Sequence, residues 1–242
     1  MTFEAYSVQK RMFGKYRRNK KVNVLKTENL KKYYGSGENL VKALDGVDFS
    51  VDRGEFVAVV GTSGSGKTTF LNMVGGLDNP TEGSVTVDGK EIGGMTADEL
   101  TVFRRRQIGF VFQNYNLVPM LNVYENVTLP IELDGSKVDK EFIGGVLKML
   151  HLDDKLDRFP NQLSGGQQQR AAIARAIASK PAIVLADEPT GNLDSKTGQE
   201  VLGLLKQTAG SFGQTLVMIT HNLDIAQLAD RIVRIEDGKI VK

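Results

Sequence analysis

The chain has 242 residues, and its 31 lysines and arginines against 29 aspartates and glutamates give a formal net charge of +2. Apolar residues make up 40% of it and charged residues 25%, which allows a sizeable core and excludes wholesale disorder. No apolar run approaches the roughly 20 residues that a membrane-spanning helix needs. There is no cysteine, and His151 and His221 are the only histidines, so disulfides and zinc-type clusters are excluded. No apolar stretch follows the first positive charges, so we expect a cytoplasmic protein.

Positive charge is concentrated at the start of the chain. Residues 1–26 have a net charge of +7, so the remaining 216 residues have a net charge of −5. We therefore divide the chain into a basic N-terminal extension, residues 1–25, and one domain, residues 26–242. Aromatic residues are interspersed among the basic residues of the extension: Phe3, Tyr6, Phe13 and Tyr16. The extension could lie on anionic lipid, contact a membrane subunit, contact nucleic acid, or serve only as a solubilising tail.

Two kinds of strand pattern follow the extension. Apolar and polar residues alternate at 47–51 and at 84–87, each before a turn sequence that contains glycine, which predicts half-buried antiparallel strands. Continuous apolar runs predict strands buried on both faces, as in a parallel sheet between helices. These runs lie at 56–60, 108–112, 183–186 and 215–220.

Helical patterns lie between the buried strands, at 68–74 and 167–179, and the resulting order of strand, helix and strand predicts an α/β core. Residues 114–164 lack strong strand patterns and contain a helical pattern at 141–150. We therefore predict an α/β fold with an N-terminal antiparallel β subdomain and an α-helical subdomain, residues 114–164, inserted in the core.

A phosphate-binding loop follows the first buried strand. The sequence Gly61-Thr62-Ser63-Gly64-Ser65-Gly66-Lys67-Thr68 matches G-x-x-x-x-G-K-[ST] between a strand and a helix. Glycines let successive backbone N–H groups surround phosphate oxygens, and the helix N-terminus adds positive potential. We expect Lys67 to contact the β- and γ-phosphates of a nucleotide and the Thr68 hydroxyl to bind Mg²⁺.

A second buried strand, at 183–186, ends in the carboxylates Asp187 and Glu188. Ligands of α/β folds bind at the carboxyl ends of such strands, so we predict that Asp187 lies beside the metal. Glu188 is the proposed residue that orients and polarises the water attacking the γ-phosphate.

A second glycine-rich helix start lies far along the chain. Leu163-Ser164-Gly165-Gly166-Gln167 precedes the alanine-rich helix, with Ser164 as the expected N-cap. A helix N-terminus of this kind favours the binding of an anion. One nucleotide has no evident need for both helix starts of the same subunit, which suggests that the second start serves another copy of the chain.

These motifs together, with Asn192-Leu193-Asp194 and His221, resemble the nucleotide-binding subunits of ATP-binding cassette (ABC) proteins over nearly all of residues 26–242. The LSGGQ sequence is the most specific part of the resemblance. It implies a RecA-like P-loop NTPase core, ATP and Mg²⁺ as cofactors, and ATPase activity coupled to transport.

The resemblance also assigns roles to single residues. Tyr34 matches the aromatic residue that stacks on adenine, with the neighbouring Tyr33 as the alternative. Gln113 matches a glutamine that reaches the metal and the attacking water, and His221 matches a histidine that contacts the γ-phosphate. Asp194 matches a residue that acts across a dimer. The implied nucleotide-binding set is completed by the phosphate loop with Thr69, and by the helix start Ser164, Gly165, Gly166 and Gln167.

The resemblance further implies a head-to-tail dimer around two ATP molecules and a polytopic membrane permease as partner, at the cytoplasmic face of the cell membrane. Residues 112–119, 163–170 and 185–194 look most like the branch that serves macrolide export, lipoprotein release and resistance to antimicrobial peptides of the bacitracin type. A cell-division ATPase of the same branch, signalling without transport, is the alternative. We expect no nucleic acid partner, because DNA-repair members separate their motifs by a long coiled coil, whereas Lys67 and Asp187 are 120 residues apart.

Overall fold

The computed structural model describes residues 23–241, so most of the basic extension lies outside the described residues. Apart from two short 3₁₀ turns, the elements in chain order are β1 (Asn23–Tyr34), β2 (Val41–Asp52), β3 (Phe56–Val60), α1 (Lys67–Val74), β4 (Glu82–Val87), β5 (Lys90–Glu91), α2 (Ala97–Gln107), β6 (Ile108–Val111), α3 (Val123–Leu133), α4 (Lys140–Met149), α5 (Gly165–Ala178), β7 (Ile183–Asp187), α6 (Ser195–Ser211), β8 (Thr215–Ile219), α7 (Leu223–Ala226), β9 (Arg231–Glu236) and β10 (Lys239–Val241).

The strands form two sheets. A four-stranded sheet has the order β2-β1-β4-β5 and is antiparallel throughout. A six-stranded sheet has the order β10-β9-β3-β8-β7-β6, and its strands are parallel except for β10, which pairs antiparallel with β9. The carboxyl ends of β3, β6 and β7 therefore meet at one edge, where the loops that follow them lie close together.

The six-stranded sheet separates two hydrophobic cores, which explains the unbroken apolar runs of its central strands. Val57 and Val59 of β3 pack in a core with α1 and the antiparallel sheet. Phe56, Ala58 and Val60, on the opposite face, pack in a core with α3, α4, α5 and α6. Because adjacent side chains of a strand point to opposite faces, a strand between two cores has to be apolar at every position.

The segment between β6 and α5 is mostly helical and contains α3 and α4, both of which pack on α5. Local capping defines where its helices begin. Asn122 and Glu125 form a capping box at α3, and the Asp139 side chain accepts a hydrogen bond from the Phe142 N–H at α4. Such caps satisfy backbone N–H groups that have no partner within the helix.

The predicted fold class is confirmed: the structure combines an antiparallel sheet, a mostly parallel sheet and a helical segment between β6 and α5. The predicted strands and helices lie within six residues of the observed bounds. The largest difference is at β2, which extends over 12 residues, and β1, of the same length, has no counterpart among the predicted strands. The polar residues of β1 and β2 adopt strand conformation because the two strands pair with each other. Strand β1 begins at Asn23, opposite Asp52, which is before the expected domain start at residue 26.

A charged contact joins the helical segment to the α/β core. Asp134, directly after α3, accepts hydrogen bonds from Arg105 and Arg106 of α2, at nitrogen–oxygen distances of 3.0 and 2.8 Å. The Ser136 hydroxyl donates to its second oxygen. The hydrogen bond from Arg106, together with those from Ser136 and Arg105, lowers the pKa of Asp134 to about 2 from the ordinary 3.8.

We predict that Asp134→Asn lowers the urea midpoint of unfolding at pH 7. A carboxylate whose pKa is lowered by folding stabilises the fold above its unfolded pKa, and this contribution is lost as the pH falls towards 2. The difference between the wild type and the variant is therefore expected to narrow below about pH 4. Asp154→Asn is the control, because Asp154 pairs only with the adjacent Lys155 at the surface. A difference in midpoint that stays constant down to pH 3 would contradict the assignment.

Candidate active site

The phosphate loop, residues 61–68, lies where the two sheets meet. Gly66 has φ +103°, a conformation that favours glycine, and a Cβ atom there would lie 2.2 Å from the carbonyl oxygen of Ala43 in β2. The Gly238 N–H, between β9 and β10, donates to the carbonyl oxygen of Ser65 at 3.0 Å. The loop is thus fixed from both sheets before any ligand binds, which reduces the ordering cost of binding.

Lys67 and Ser65 are buried inside this loop. The Lys67 ammonium donates to the carbonyl oxygens of Gly61 at 3.0 Å and Thr62 at 2.7 Å. The lysine side chain therefore lies back against the start of the loop. The Ser65 hydroxyl oxygen is buried and has no hydrogen-bond partner in the described part of the chain. Lys67 lines the cavity described below, whereas Ser65 does not, so the buried ammonium is the side-chain donor that fits a phosphate group here.

The loop forms one wall of a cavity of about 710 Å³. We call it the phosphate-loop cavity, and the remaining walls come from three parts of the fold. They are the start of β2 (Val41, Lys42, Ala43, Asp45), the carboxyl edge of the parallel sheet (Glu188, Ile219, His221) and the β9–β10 turn (Asp237, Gly238, Lys239). The exposed Thr68 and the half-buried Thr69 also line it.

Several predicted site residues do not line this cavity, among them Gln113, Asp187 and Asp194. Tyr34 is 42% exposed, its hydroxyl donates to Asp78, and the Lys32 ammonium lies 5.0 Å from its ring centre. Tyr33 instead donates to Asp45. The residues 164–167 do not line the cavity either. Among residues 23–241, the cavity thus has the phosphate loop without the second glycine-rich helix start.

Glu188 and His221 form a pair at the cavity. Glu188 Oε1 accepts from the backbone N–H of His221 at 3.0 Å and contacts the ring Nδ1 at 2.8 Å. Because an ionised carboxylate only accepts, Nδ1 carries the proton in this pair and the exposed Nε2 is left free. Glu188 has φ +45°, a left-handed conformation that costs of order 1 kcal/mol for a residue with a side chain and that is typical of active sites.

Asp187, the last residue of β7, is half-buried. Burial raises its pKa, the negative charge of Glu188 raises it further, and the positive charge of Lys67 opposes both. A half-buried carboxylate next to a like charge favours a nearby cation, although Asp187 itself does not line the cavity.

The described residues include no group of three or more histidines or carboxylates able to hold a metal ion alone. The expected Mg²⁺ ligands are instead oxygen atoms: the Thr68 hydroxyl, the Asp187 carboxylate and the Gln113 amide. This donor set fits Mg²⁺, which prefers hard oxygen ligands and usually binds with a few protein groups plus substrate phosphates. The residues therefore fit a metal that arrives together with a nucleotide.

Gln113 follows β6 and lies against the turn after Glu188. Its side-chain amide nitrogen donates to Asn192 Oδ1 at 3.1 Å. Asn192 in turn donates to the Gln113 carbonyl at 3.0 Å and to Asn114 Oδ1 at 2.8 Å. The sequence motifs did not predict this arrangement, because Asn192 is 79 residues from Gln113.

Two other predicted residues are helix caps. The Ser164 hydroxyl accepts from the Gln167 N–H, and the Gln167 side chain accepts from the Ser164 N–H, a capping box that begins α5. Asp194 caps α6 by accepting from the Thr197 N–H at 3.0 Å, and hydrogen bonds with the Thr197 side chain and N–H lower its pKa.

Sequence reasoning missed the walls that come from β2 and from the β9–β10 turn. Val41 and Lys42 belong to no motif, and Asp237-Gly238 resembles an ordinary turn. The turn reaches the cavity through the pairing of β9 with β3 and its contact with Ser65, and β2 is bonded to the turn through the Asp45 N–H, which donates to the Gly238 carbonyl. No local pattern could have identified them.

Comparisons with known proteins identify the family of this chain. The family model described as ABC transporter matches residues 44–191. The chain is 46% identical to the ABC transporter ATP-binding protein MJ0796 of Methanocaldococcus jannaschii, over 90% of this chain and 95% of that protein. It is 49% identical to an ABC transporter ATP-binding protein of Thermotoga maritima, over 90% of this chain and 93% of that protein. It is 45% identical to the macrolide export ATP-binding/permease protein MacB of Syntrophobacter fumaroxidans, but covers only 31% of it.

The fold is similar to a solved dimeric structure of MJ0796 in a post-hydrolysis state bound to ADP and Pi. The TM-score is 0.80 at 45% identity, over 90% of this chain and 97% of that one. The chain therefore belongs to the ABC transporter family. It is the ATP-binding domain of that family and an ATPase, so the family, the fold class and the enzyme class predicted from the sequence are confirmed.

We predict that Ser65→Ala leaves ATP affinity unchanged and does not destabilise the fold. Removing a buried hydroxyl without a partner should leave the melting temperature of the nucleotide-free protein unchanged or higher. The hydroxyl does not line the cavity, so affinity for ATP should stay that of the wild type. Differential scanning fluorimetry with an ATP titration measures both, with the exposed Ser211→Ala as control. A loss of ATP affinity in the Ser65 variant would contradict this placement of the hydroxyl.

Proposed function

We propose that two copies of this chain bind head to tail around two ATP molecules and drive a membrane permease. The observation that carries the proposal is the incomplete cavity: the phosphate loop lines it, whereas residues 164–167 of the same chain do not. The N–H groups at the start of α5 are then available to the γ-phosphate held by another copy. The dimeric structures of the relative MJ0796 support this arrangement.

Within one copy, the residues divide the work of phosphoryl transfer. The N–H groups of residues 61–68 and the Lys67 ammonium bind the phosphates. Thr68, Asp187 and Gln113 supply oxygen ligands for Mg²⁺, which when bound neutralises the charge that develops on the phosphate oxygens. No covalent intermediate with the protein is required, since positioning and charge stabilisation carry the reaction.

Glu188 is the residue that we assign to the attacking water. In the described structure its Oε1 is held by His221, and Oε2 has no described hydrogen bond, so one carboxylate oxygen is available to accept a proton from water. His221 is the proposed contact of the γ-phosphate. Because Nδ1 donates to Glu188, Nε2 would donate to the phosphate only when the ring carries a proton on both nitrogens. Tyr34 is the proposed stacking residue for adenine, at the outer side of α1.

Hydrolysis then releases the dimer. A single γ-phosphate held between the phosphate loop of one copy and the α5 start of the other joins the two copies. Cleavage of the γ-phosphate divides these contacts between ADP and free phosphate. The bound nucleotide then no longer favours the closed dimer over the open one. The dimer opens as a result, and this movement can drive a conformational change in a permease.

A permease partner follows from the relatives. In residues 23–241, no helix has both the length and the apolar character needed to cross a membrane. The relative MacB combines an ATP-binding part with a permease, and this chain matches about a third of it. We infer that a separate polytopic permease holds this chain at the cytoplasmic face of the membrane, and that the pair exports or confers resistance to antimicrobial peptides or related compounds.

Glu188→Gln is expected to bind ATP and form a stable dimer without turning it over. Glutamine keeps the size and the acceptor towards His221 but cannot take the proton, so turnover should fall by about 10²–10⁴-fold. Multi-angle light scattering with ATP and Mg²⁺ should show twice the 26.5 kDa monomer mass for the variant. Its mass without ATP is the internal control. A variant that remains monomeric at saturating ATP would argue strongly against the head-to-tail dimer.

Lys67→Ala is expected to act one step earlier, on binding. It removes a charged donor to phosphate, so ATP affinity should fall by about 10- to 100-fold, corresponding to roughly 1.5–3 kcal/mol. Binding of a fluorescent ATP analogue measures this loss, and Lys90→Ala, on the exposed strand β5, is the matched control. Equal affinity and equal ATPase activity in the Lys67 variant would refute the assigned role.

A further inference from the structure

Three side chains with terminal amides form a connected group in the loops that follow β6 and β7, which we call the amide chain: Gln113, Asn114 and Asn192. Asn192 Nδ2 donates to the Gln113 backbone carbonyl at 3.0 Å and to Asn114 Oδ1 at 2.8 Å. Gln113 Nε2 donates to Asn192 Oδ1 at 3.1 Å. Asn192 thus uses both ends of its amide to bind the segment that follows β6.

The backbone carbonyl determines the direction of every bond in the amide chain. A carbonyl oxygen only accepts, so the end of the Asn192 amide that faces it has to be the NH₂ group. Asn192 Oδ1 then faces Gln113, and the end of the Gln113 amide that meets it has to be Nε2. Gln113 Oε1 is the atom left over, and among residues 23–241 it accepts no hydrogen bond.

The turn that carries Asn192 is held close to both Gln113 and Glu188. The Gly191 N–H donates to the Glu188 carbonyl at 2.9 Å, and the Leu193 N–H donates to the Thr190 carbonyl at 3.0 Å. A Cβ atom on Gly191 would lie 2.6 Å from Gln113 Nε2, so glycine is needed there for the amide to fit. The position of Asn192 relative to the catalytic carboxylates is therefore set by a tight turn.

We propose that Asn192 is a positioning residue that orients the Gln113 amide so that its oxygen, and not its nitrogen, faces the cation accompanying ATP. The proposal rests on the proposed role of Gln113 as a Mg²⁺ ligand. The two ends of an amide have nearly the same shape, but only the oxygen binds a cation. A partner that accepts from the nitrogen selects the productive orientation, as outer-shell residues do at other metal sites.

This role can be separated from a contribution to folding. Gln113, Asn114 and Asn192 are all exposed, so deleting one of their hydrogen bonds leaves no buried polar group without a partner. Asn192→Ala should therefore fold with the melting temperature of the wild type. Its effect should be confined to steps that depend on the cation.

The test measures how strongly Mg²⁺ tightens nucleotide binding. The affinity for a fluorescent ATP analogue is measured in EDTA and in MgCl₂ for the wild type, Asn192→Ala and Asn114→Ala. Gln207→Ala, which removes an amide from the exposed face of α6, is the matched control. Asn192→Ala should bind the analogue in EDTA as the wild type does, while its Mg²⁺-dependent tightening falls by about tenfold, the effect typical of outer-shell changes. Asn114→Ala, which removes only the far end of the amide chain, should show a smaller loss.

The outcomes distinguish this proposal from the proposed function. If the wild type and Asn192→Ala show equal tightening by Mg²⁺, the positioning role of Asn192 is wrong and the ATPase assignment stands. If affinity in EDTA falls as much as affinity in MgCl₂, Asn192 supports the fold of the site and the positioning role is again wrong. A wild type that does not bind the analogue in either buffer would instead overturn the proposed function.

Discussion

The grip of the phosphate loop on a phosphate group depends on the fixed position of the loop between two sheets. Ala43 of β2 approaches Gly66 too closely for any side chain, and Gly238 donates to Ser65 from the opposite sheet. The loop therefore does not have to be ordered by its ligand. The cation of Lys67 and the unpartnered Ser65 hydroxyl are retained inside it. A preformed loop of this kind leaves more of the interaction energy with the phosphates as net affinity.

Helix α5, which follows the second glycine-rich segment, is bonded to the loops that follow β6 and β7. Gln169, fully buried in α5, donates to the carbonyl oxygens of Phe112 at 3.3 Å and Pro189 at 2.6 Å. It thereby ties the helix to the residues next to Gln113 and next to Glu188. A movement of α5 cannot leave these two loops undisturbed, because a buried amide without its partners costs about 1–3 kcal/mol.

Arg175 makes a second connection, to a strained turn. Tyr115 and Asn116 have φ of +57° and +50°, and their carbonyl oxygens accept hydrogen bonds from the Arg175 guanidinium at 2.8 and 2.5 Å. Two consecutive left-handed residues with side chains persist only when the surroundings hold them. The helix that Ser164 caps thus braces the chain directly after Gln113, which connects the glycine-rich helix start to the loop that follows β6.

The sequence by itself determined the strand-loop-helix unit at residues 56–74, the carboxylate pair after β7 and the capped start of α5. Each of these is written in a short segment, where glycine conformation, apolar runs and capping residues act over a few positions. The tertiary structure decided what no short segment contains: that β2 and the β9–β10 turn complete the phosphate-loop cavity, that Asp194 is occupied as a helix cap, and that Asn192 meets Gln113 across 79 residues. Contacts of this kind come from the order of strands in a sheet, and a local pattern does not specify which strands pair.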